Sequence, residues 1–211
     1  PVSGKAESVS GIKREEILRY LKNHYHPDNF TVVVVGDVRV QQVVDAVNRL
    51  MAGLPKSAAQ PPAIPREPPQ QEARLFALTE DVNQTQLALA FPGSAFKSQD
   101  TAILDVLTSI LASGETSRLY TRLRNDKGLV YRINGSAFTP RDPGLLEFTA
   151  TLEADKVAAA LTETLTEIFR LKHAKVSDEE LDRAKSNLES DFIFNLERAE
   201  GQARVLGSFE F

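Results

Sequence analysis

Residues 129–153, LVYRINGSAFTPRDPGLLEFTATLE, decide the fold class of this chain. LVYRINGSAF (129–138) and LLEFTATLE (145–153) read as two strands, and TPRDPG between them carries the proline and glycine of a reversal. An antiparallel pair follows. Working upstream, ARLFALTED (73–81) and TQLALAFPG (85–93) alternate as two further strands of a sheet with one polar face. SQDTAILDVLTSILAS (98–113) is then helical, with Ser98 as N-cap and Gly114 as its stop. TSRLYTRLRNDKG (116–128) is a short helix with Leu119 and Leu123 one turn apart. Downstream, KVAAALTETLTEIFRLK (156–172) places Val157, Leu161, Leu165, Ile168 and Phe169 on one stripe, as an amphipathic helix requires. SDEELDRAKSNLESDFIFNLERA (177–199) opens with a capping box, Ser177 and Glu180, and turns Leu181, Ala184, Leu188, Phe192 and Leu196 inward. The order β-β-α-α-β-β-α-α is that of an α+β domain, an antiparallel sheet with helices packed on one face.

Six of the eleven prolines fall in PKSAAQPPAIPREPP (55–69). Proline fixes φ and removes a backbone donor, so 55–72 is expected to be an extended linker. It divides a first segment, 1–54, from the second domain, 73–211. In the first segment IKREEILRYLKNHY (12–25) has helical spacing and stops before Pro27. FTVVVVGD (30–37) reads as a buried strand, and VQQVVDAVNRLMAGLP (40–55) as a second helix. A helix–strand–helix piece is a poor domain alone, because its strand needs neighbours that 1–54 does not supply.

Composition narrows the function classes. The chain has 211 residues, 42% hydrophobic and 26% charged, with a net charge of −4. An acidic balance lacks the basic footprint of a nucleic-acid partner. No apolar run approaches the ~20 residues that span a bilayer. Cysteine is absent, which excludes disulfides, thiolate metal sites and a cysteine nucleophile. These features suit a soluble protein of the bacterial cytoplasm or periplasm, without choosing between them. A first residue other than methionine suggests a piece of a longer chain.

The three histidines, His24, His26 and His173, form neither of the zinc-binding helix patterns that put two imidazoles on one face. They read as helix-end and loop residues. There is no Gly-x-Ser-x-Gly elbow, and GDVRV (36–40) has one glycine where a dinucleotide fingerprint needs three. What remains is SGETSRLYTRLRNDKGLVY (113–131), which combines Ser113, Gly114, Thr116 and Ser117 with Arg118, Arg122, Arg124 and Tyr131. Residue types alone favour a solvated basic helix face followed by a tyrosine that opens a strand. A functional alternative rests on two properties. An arginine fork can hold a peptide carbonyl or carboxylate in fixed geometry, and a phenol can donate a hydrogen bond to a developing oxyanion.

Several motifs in order resemble one family. REEILRYLKNHYHPDNFTVVVVGDV (14–38) resembles the helix–strand element near the end of the first domain in insulinase/pitrilysin-type zinc peptidases, mitochondrial processing peptidases among them. The pattern there is a helix, Tyr-x-Pro-x-Asn, and a β-branched strand ending Gly-Asp, matched by Tyr25, Pro27, Asn29 and Gly36-Asp37. Beyond the prolines, SGETSRLYTRLRNDKGLVYRINGSA (113–137) resembles the second-domain signature: a small-residue loop, Ser-Arg-Leu, then Arg-x6-Tyr. The resemblance runs over essentially the whole chain. It implies paired domains of similar fold around a chamber, one bearing an inverted zinc motif and the other an arginine–tyrosine pair.

Carried over residue by residue, Arg124 would clamp the substrate main chain and Tyr131 would donate to the oxyanion. Ser113, Gly114, Ser117 and Arg118 would help bind substrate. No metal ligand or cofactor is expected in this segment. Zinc is expected elsewhere in the parent protein, or on a partner subunit of the same fold, and the segment alone is expected to be inactive. The implied substrate is a peptide or unfolded protein. The strand at 30–36 is expected to dock on the sheet edge that a missing final strand leaves open, within the molecule or in a second copy, which would make a homodimer. The resemblance also admits a non-catalytic structural or peptide-capture subunit, which would have no need of an oxyanion donor.

Overall fold

The computed structural model describes residues 4–55, 65 and 68–210, so most of the expected linker lies outside the described residues. The chain divides into two units, Pro1–Leu75 with Asn195–Phe211, and Phe76–Phe194.

In the first unit, α1 (Ala6–Ser10) and α2 (Arg14–His24) are followed by one turn of 3-10 helix, Pro27–Asn29. The Tyr-x-Pro-x-Asn motif ends α2 by an identifiable contact. The Asn29 side-chain amide donates to the His24 carbonyl at 2.9 Å, satisfying an acceptor that the helix end leaves open. His26 is buried, with its Nδ1 3.0 Å from the Pro55 carbonyl. Residues 30–35 are not a strand. They run without ladder partners into Gly36, and α3 (Val40–Met51) follows. The expectation that 30–36 completes the sheet within the molecule is therefore overturned. A β-branched run favours the extended form, but a strand also needs a neighbour for its backbone groups. α7 (Ala199–Glu210) belongs to this unit. The expected helix 177–199 in fact ends at Leu196, and α7 was not foreseen.

The second unit is an α+β fold with a small antiparallel sheet flanked by helices. Strands β1 (Thr85–Pro92), β2 (Val130–Phe138) and β3 (Leu145–Leu152) lie in the order β1-β3-β2, both pairs antiparallel. The pair expected from 129–153 is present, joined at the reversal by TPRDPG. The strand expected at 73–81 is not. Those residues have no ladder, and Leu75 and Phe76 are 93% and 86% exposed.

One sheet face carries Val130, Ile133, Leu146, Phe148, Ala150 and Leu152, all buried. α4 (Asp100–Ala112) packs across β2 and β3 on this side. Leu119 and Leu123, from the segment after α4, are fully buried in the same core. α5 (Val157–Arg170) and α6 (Asp178–Leu196) complete the unit. The α6 capping box forms as expected: Ser177 N–H donates to Glu180 Oε2 at 3.1 Å, and Glu180 N–H to Ser177 Oγ at 3.2 Å. Ala184 is the buried residue of that helix; Phe192, expected inward, is 49% exposed.

Candidate functional site

The turn at Gly128 is where a helix hands over to β2. The segment that the sequence reads as a short helix is wound as a π-helix from Tyr120 to Asp126. Such wider turns are rare and recur at functional sites. Leu123 anchors it in the core, which leaves Arg124, its neighbour in sequence, on the solvent side. Gly128 then takes φ +57°, a left-handed conformation that glycine adopts without a Cβ clash. Immediately beyond, β2 slips register against β3. Val130 faces Leu152 and Arg132 faces Thr151, so Tyr131 is the extra residue of a bulge. A bulge re-aims a side chain, and here Tyr131 and Arg132 both emerge exposed between buried Val130 and Ile133.

Ion pairs to the α5 side hold this turn. Arg122 Nε donates to Glu163 Oε2 at 3.0 Å, and Lys127 Nζ donates to the other oxygen of the same carboxylate. These two bonds, from Lys127 and then Arg122, hold the Glu163 carboxyl below its ordinary value. Lys156 Nζ donates to the Gly128 carbonyl at 2.9 Å. The Tyr131 hydroxyl donates to Glu153, which pushes the phenol pKa up because ionisation would lose that bond and set two negative charges side by side. Desolvation and the charge of Asp155 act in the same direction.

Arg124 differs from these cations. Its guanidinium lies 5.0 Å from the centroid of the Tyr120 ring, and it has no carboxylate partner among the described residues. A cation over an aromatic face is held loosely and keeps its donors. Tyr120 is itself fixed by a hydrogen bond from its hydroxyl to Glu115 at 3.2 Å. Arg124 and Tyr131 share no hydrogen bond.

The other four candidate residues form a second cluster. Gly114 has φ +76°, and Ser117, buried, donates from Oγ to the Gly114 carbonyl at 2.7 Å, closing a tight loop. Ser113 and Ser117 line a small cleft with Thr116, Glu180, Arg183 and Asn187. Arg118 donates from Nε and Nη2 to the two oxygens of Glu180, both at 2.7 Å. The fork-to-fork pair raises the arginine pKa and holds the Glu180 carboxyl at about 2. Arg118 thus ties the loop to α6. Sequence reasoning did not find Glu153, Glu163 or the second role of Glu180. Their partners lie 22, 41 and 62 positions away, beyond any local pattern.

Among the described residues no group of three or more histidine, aspartate and glutamate side chains could hold a metal ion. His26 is engaged with Pro55, His24 stacks on Tyr20 with ring centroids 4.2 Å apart, and His173 stands in an exposed loop. These residues do not fit a zinc centre. No described helix is long and apolar enough to cross a membrane.

A family profile described as the peptidase M16 inactive domain matches residues 11–188. The chain belongs to the M16 family, the insulinase/pitrilysin peptidases. It is 28% identical over 210 residues to the zinc protease PqqE of Helicobacter pylori, covering 98% of this chain and 47% of that protein. It is 26% identical over 208 residues to an uncharacterized zinc protease of Rickettsia felis, covering 98% and 49%. A crystal structure of a protease from Helicobacter pylori superposes with a TM-score of 0.87 at 28% identity, covering 98% of this chain and 50% of that one. The M16 inactive domain from Pseudomonas fluorescens shares the fold, with a TM-score of 0.79 at 23% identity over 88% of this chain and 45% of that one. This M16 chain spans about half the length of the curated relatives it matches.

Proposed function

We propose that this chain is the substrate-binding half of an M16 zinc metalloendopeptidase, with Arg124 holding substrate main chain and Tyr131 donating to the oxyanion. The observation that carries this reading is the contrast between Arg124 and the other cations of the 118–127 segment. Arg118, Arg122 and Lys127 are bound to carboxylates, whereas Arg124 is exposed and among the described residues has no carboxylate partner. An unpaired guanidinium on a pinned turn is prepared to take a planar peptide group or carboxylate as a bidentate partner. Tyr131 fits the second role because a phenol, ordinarily titrating near about 10, is protonated and therefore a donor throughout the neutral range, and its side chain stands exposed beside the turn. The metal and its general base belong to another domain of the parent protein or to a partner subunit of the same fold. The substrate class is peptide or unfolded protein.

The test is Tyr131→Phe in the complete peptidase. A donor used only as charge develops stabilises the transition state and not the bound substrate. kcat is expected to fall by about 10²-fold with KM little changed. Unchanged kcat removes Tyr131 from catalysis and favours a structural or peptide-capture subunit.

A further inference from the structure

We infer that Glu153 is a positioning residue that holds the Tyr131 proton off the substrate in the resting enzyme. Glu153 directly follows β3 and opens the connector into α5. That connector grips the turn at two places: Glu153 accepts from the Tyr131 hydroxyl, and Lys156 donates to the Gly128 carbonyl at 2.9 Å. The bulge at Tyr131 supplies the other half of the arrangement, since it turns the phenol to the exposed side. Tyr131 is 48% exposed, and among the described residues its hydroxyl hydrogen-bonds to Glu153 alone.

A phenol has one proton. Donation to Glu153 and donation to a substrate oxygen therefore exclude each other. A carboxylate is a stronger acceptor than a neutral peptide carbonyl, so a bound but unreacted substrate does not take the proton. A developing oxyanion does. Glu153 thus withholds the donor from the ground state, and the exchange subtracts the lost Glu153 bond from the stabilisation Tyr131 can give. Removing the carboxylate should make the enzyme faster, the opposite of what losing a structural contact would do.

This rests on the catalytic reading of Tyr131, and two experiments separate the two ideas. The first needs no substrate. The chain has four tyrosines, so [13Cζ]tyrosine labelling of the full chain gives a simple NMR titration, assigned with Tyr131→Phe. Tyr131 should titrate above the ordinary phenol value of about 10, and Glu153→Gln, which keeps the side-chain shape, should bring it down. Asp155→Asn, which removes a charge without a hydrogen bond to the phenol, should move it less. A midpoint unmoved by Glu153→Gln overturns the inference. The second is a double-mutant cycle in the complete peptidase. Glu153→Gln should raise kcat/KM several-fold when Tyr131 is present and leave it unchanged in the Tyr131→Phe background. A fall, or an equal change in both backgrounds, also overturns the inference. If Tyr131→Phe alone leaves kcat unaltered, the proposed function fails, while the titration still decides whether Glu153 holds the phenol.

Discussion

Arg118 and Arg124 stand six positions apart in one segment, and their surroundings give them opposite tasks. Arg118 and Glu180 have side chains only 17% and 22% exposed, and their bidentate pair joins the 113–118 loop to the start of α6. The fork of Arg124 faces solvent over Tyr120. Arg124→Lys replaces a planar fork with a point donor. On the substrate-clamping role proposed for Arg124, it should raise KM of the complete peptidase several-fold, with thermal stability within about 0.5 kcal/mol of the parent. The Arg118 pair has a pH signature instead. The Glu180 carboxyl is ordinary in the unfolded chain, near 4.5, and is held at about 2 in the folded one. A lowered folded value contributes stability that is fully present above the unfolded pKa and is lost as pH falls toward the folded one. Stability should therefore decline between about pH 5 and pH 2, and urea midpoints should show Glu180→Gln with a flatter acid limb. An acid limb as steep in Glu180→Gln as in the parent would mean that the pair contributes nothing.

At the scale of elements, α4, the π-helix and the two strands after it form one device. α4 can lie close on β2 because residue 135 has no side chain. A Cβ at Gly135 would meet Ala112 Cβ at 2.8 Å, Thr108 Cγ2 at 3.0 Å and Phe148 Cδ1 at 3.1 Å. Two of those atoms are on α4 and one is on β3, so no single flexible tip can yield. Gly135→Ala should lower stability by about 1–3 kcal/mol, as overpacking of a filled core does, read as a lower urea midpoint at unchanged m. A neutral result would show that α4 lifts off the sheet without penalty.

Much of this layer was legible in the residues. The β2–β3 pair followed from two strand-like runs around a proline–glycine reversal, and α4, α5 and the α6 capping box from spacing and cap chemistry. The candidate pair, an arginine and a tyrosine seven positions apart across a glycine, came from the family resemblance, because residue types alone favoured a solvated helix face. The π-winding and the bulge on either side of Gly128 were not legible, because no local residue pattern marks them; they accompany the burial of Leu123, Val130 and Ile133 in the core. The partners Glu153 and Glu163 were hidden for a related reason, since tertiary packing alone brings them to the turn.

Across the whole molecule the two units differ in what holds them. Every buried hydrophobic side chain among the described residues, from Ile110 to Ala184, lies in the second unit. The first unit has amphipathic helices on which many apolar residues remain open: Ile17, Leu18, Leu21, Val44 and Leu50 are all exposed. The misread strands belong to the same pattern. TVVVV at 31–35 has the β-branching of a buried strand and ARLFALTED at 73–81 the alternation of a half-buried one, but propensity states a preference, and a ladder partner decides whether it is realised. Local opening free energies follow buried apolar contact and shared backbone hydrogen bonds. Amides of β2, β3 and α4 should accordingly exchange only through global unfolding of the second unit. Those of α2 and α3 should exchange far faster, through openings that leave the sheet intact. Native-state hydrogen exchange on this chain measures both at once. Protection in α2 equal to that in β3 would show that the first unit is stabilised by something other than a buried core. The expected gradient would instead place the stable scaffold directly beneath the Arg124–Tyr131 turn, where the proposed site, acting by position, needs it.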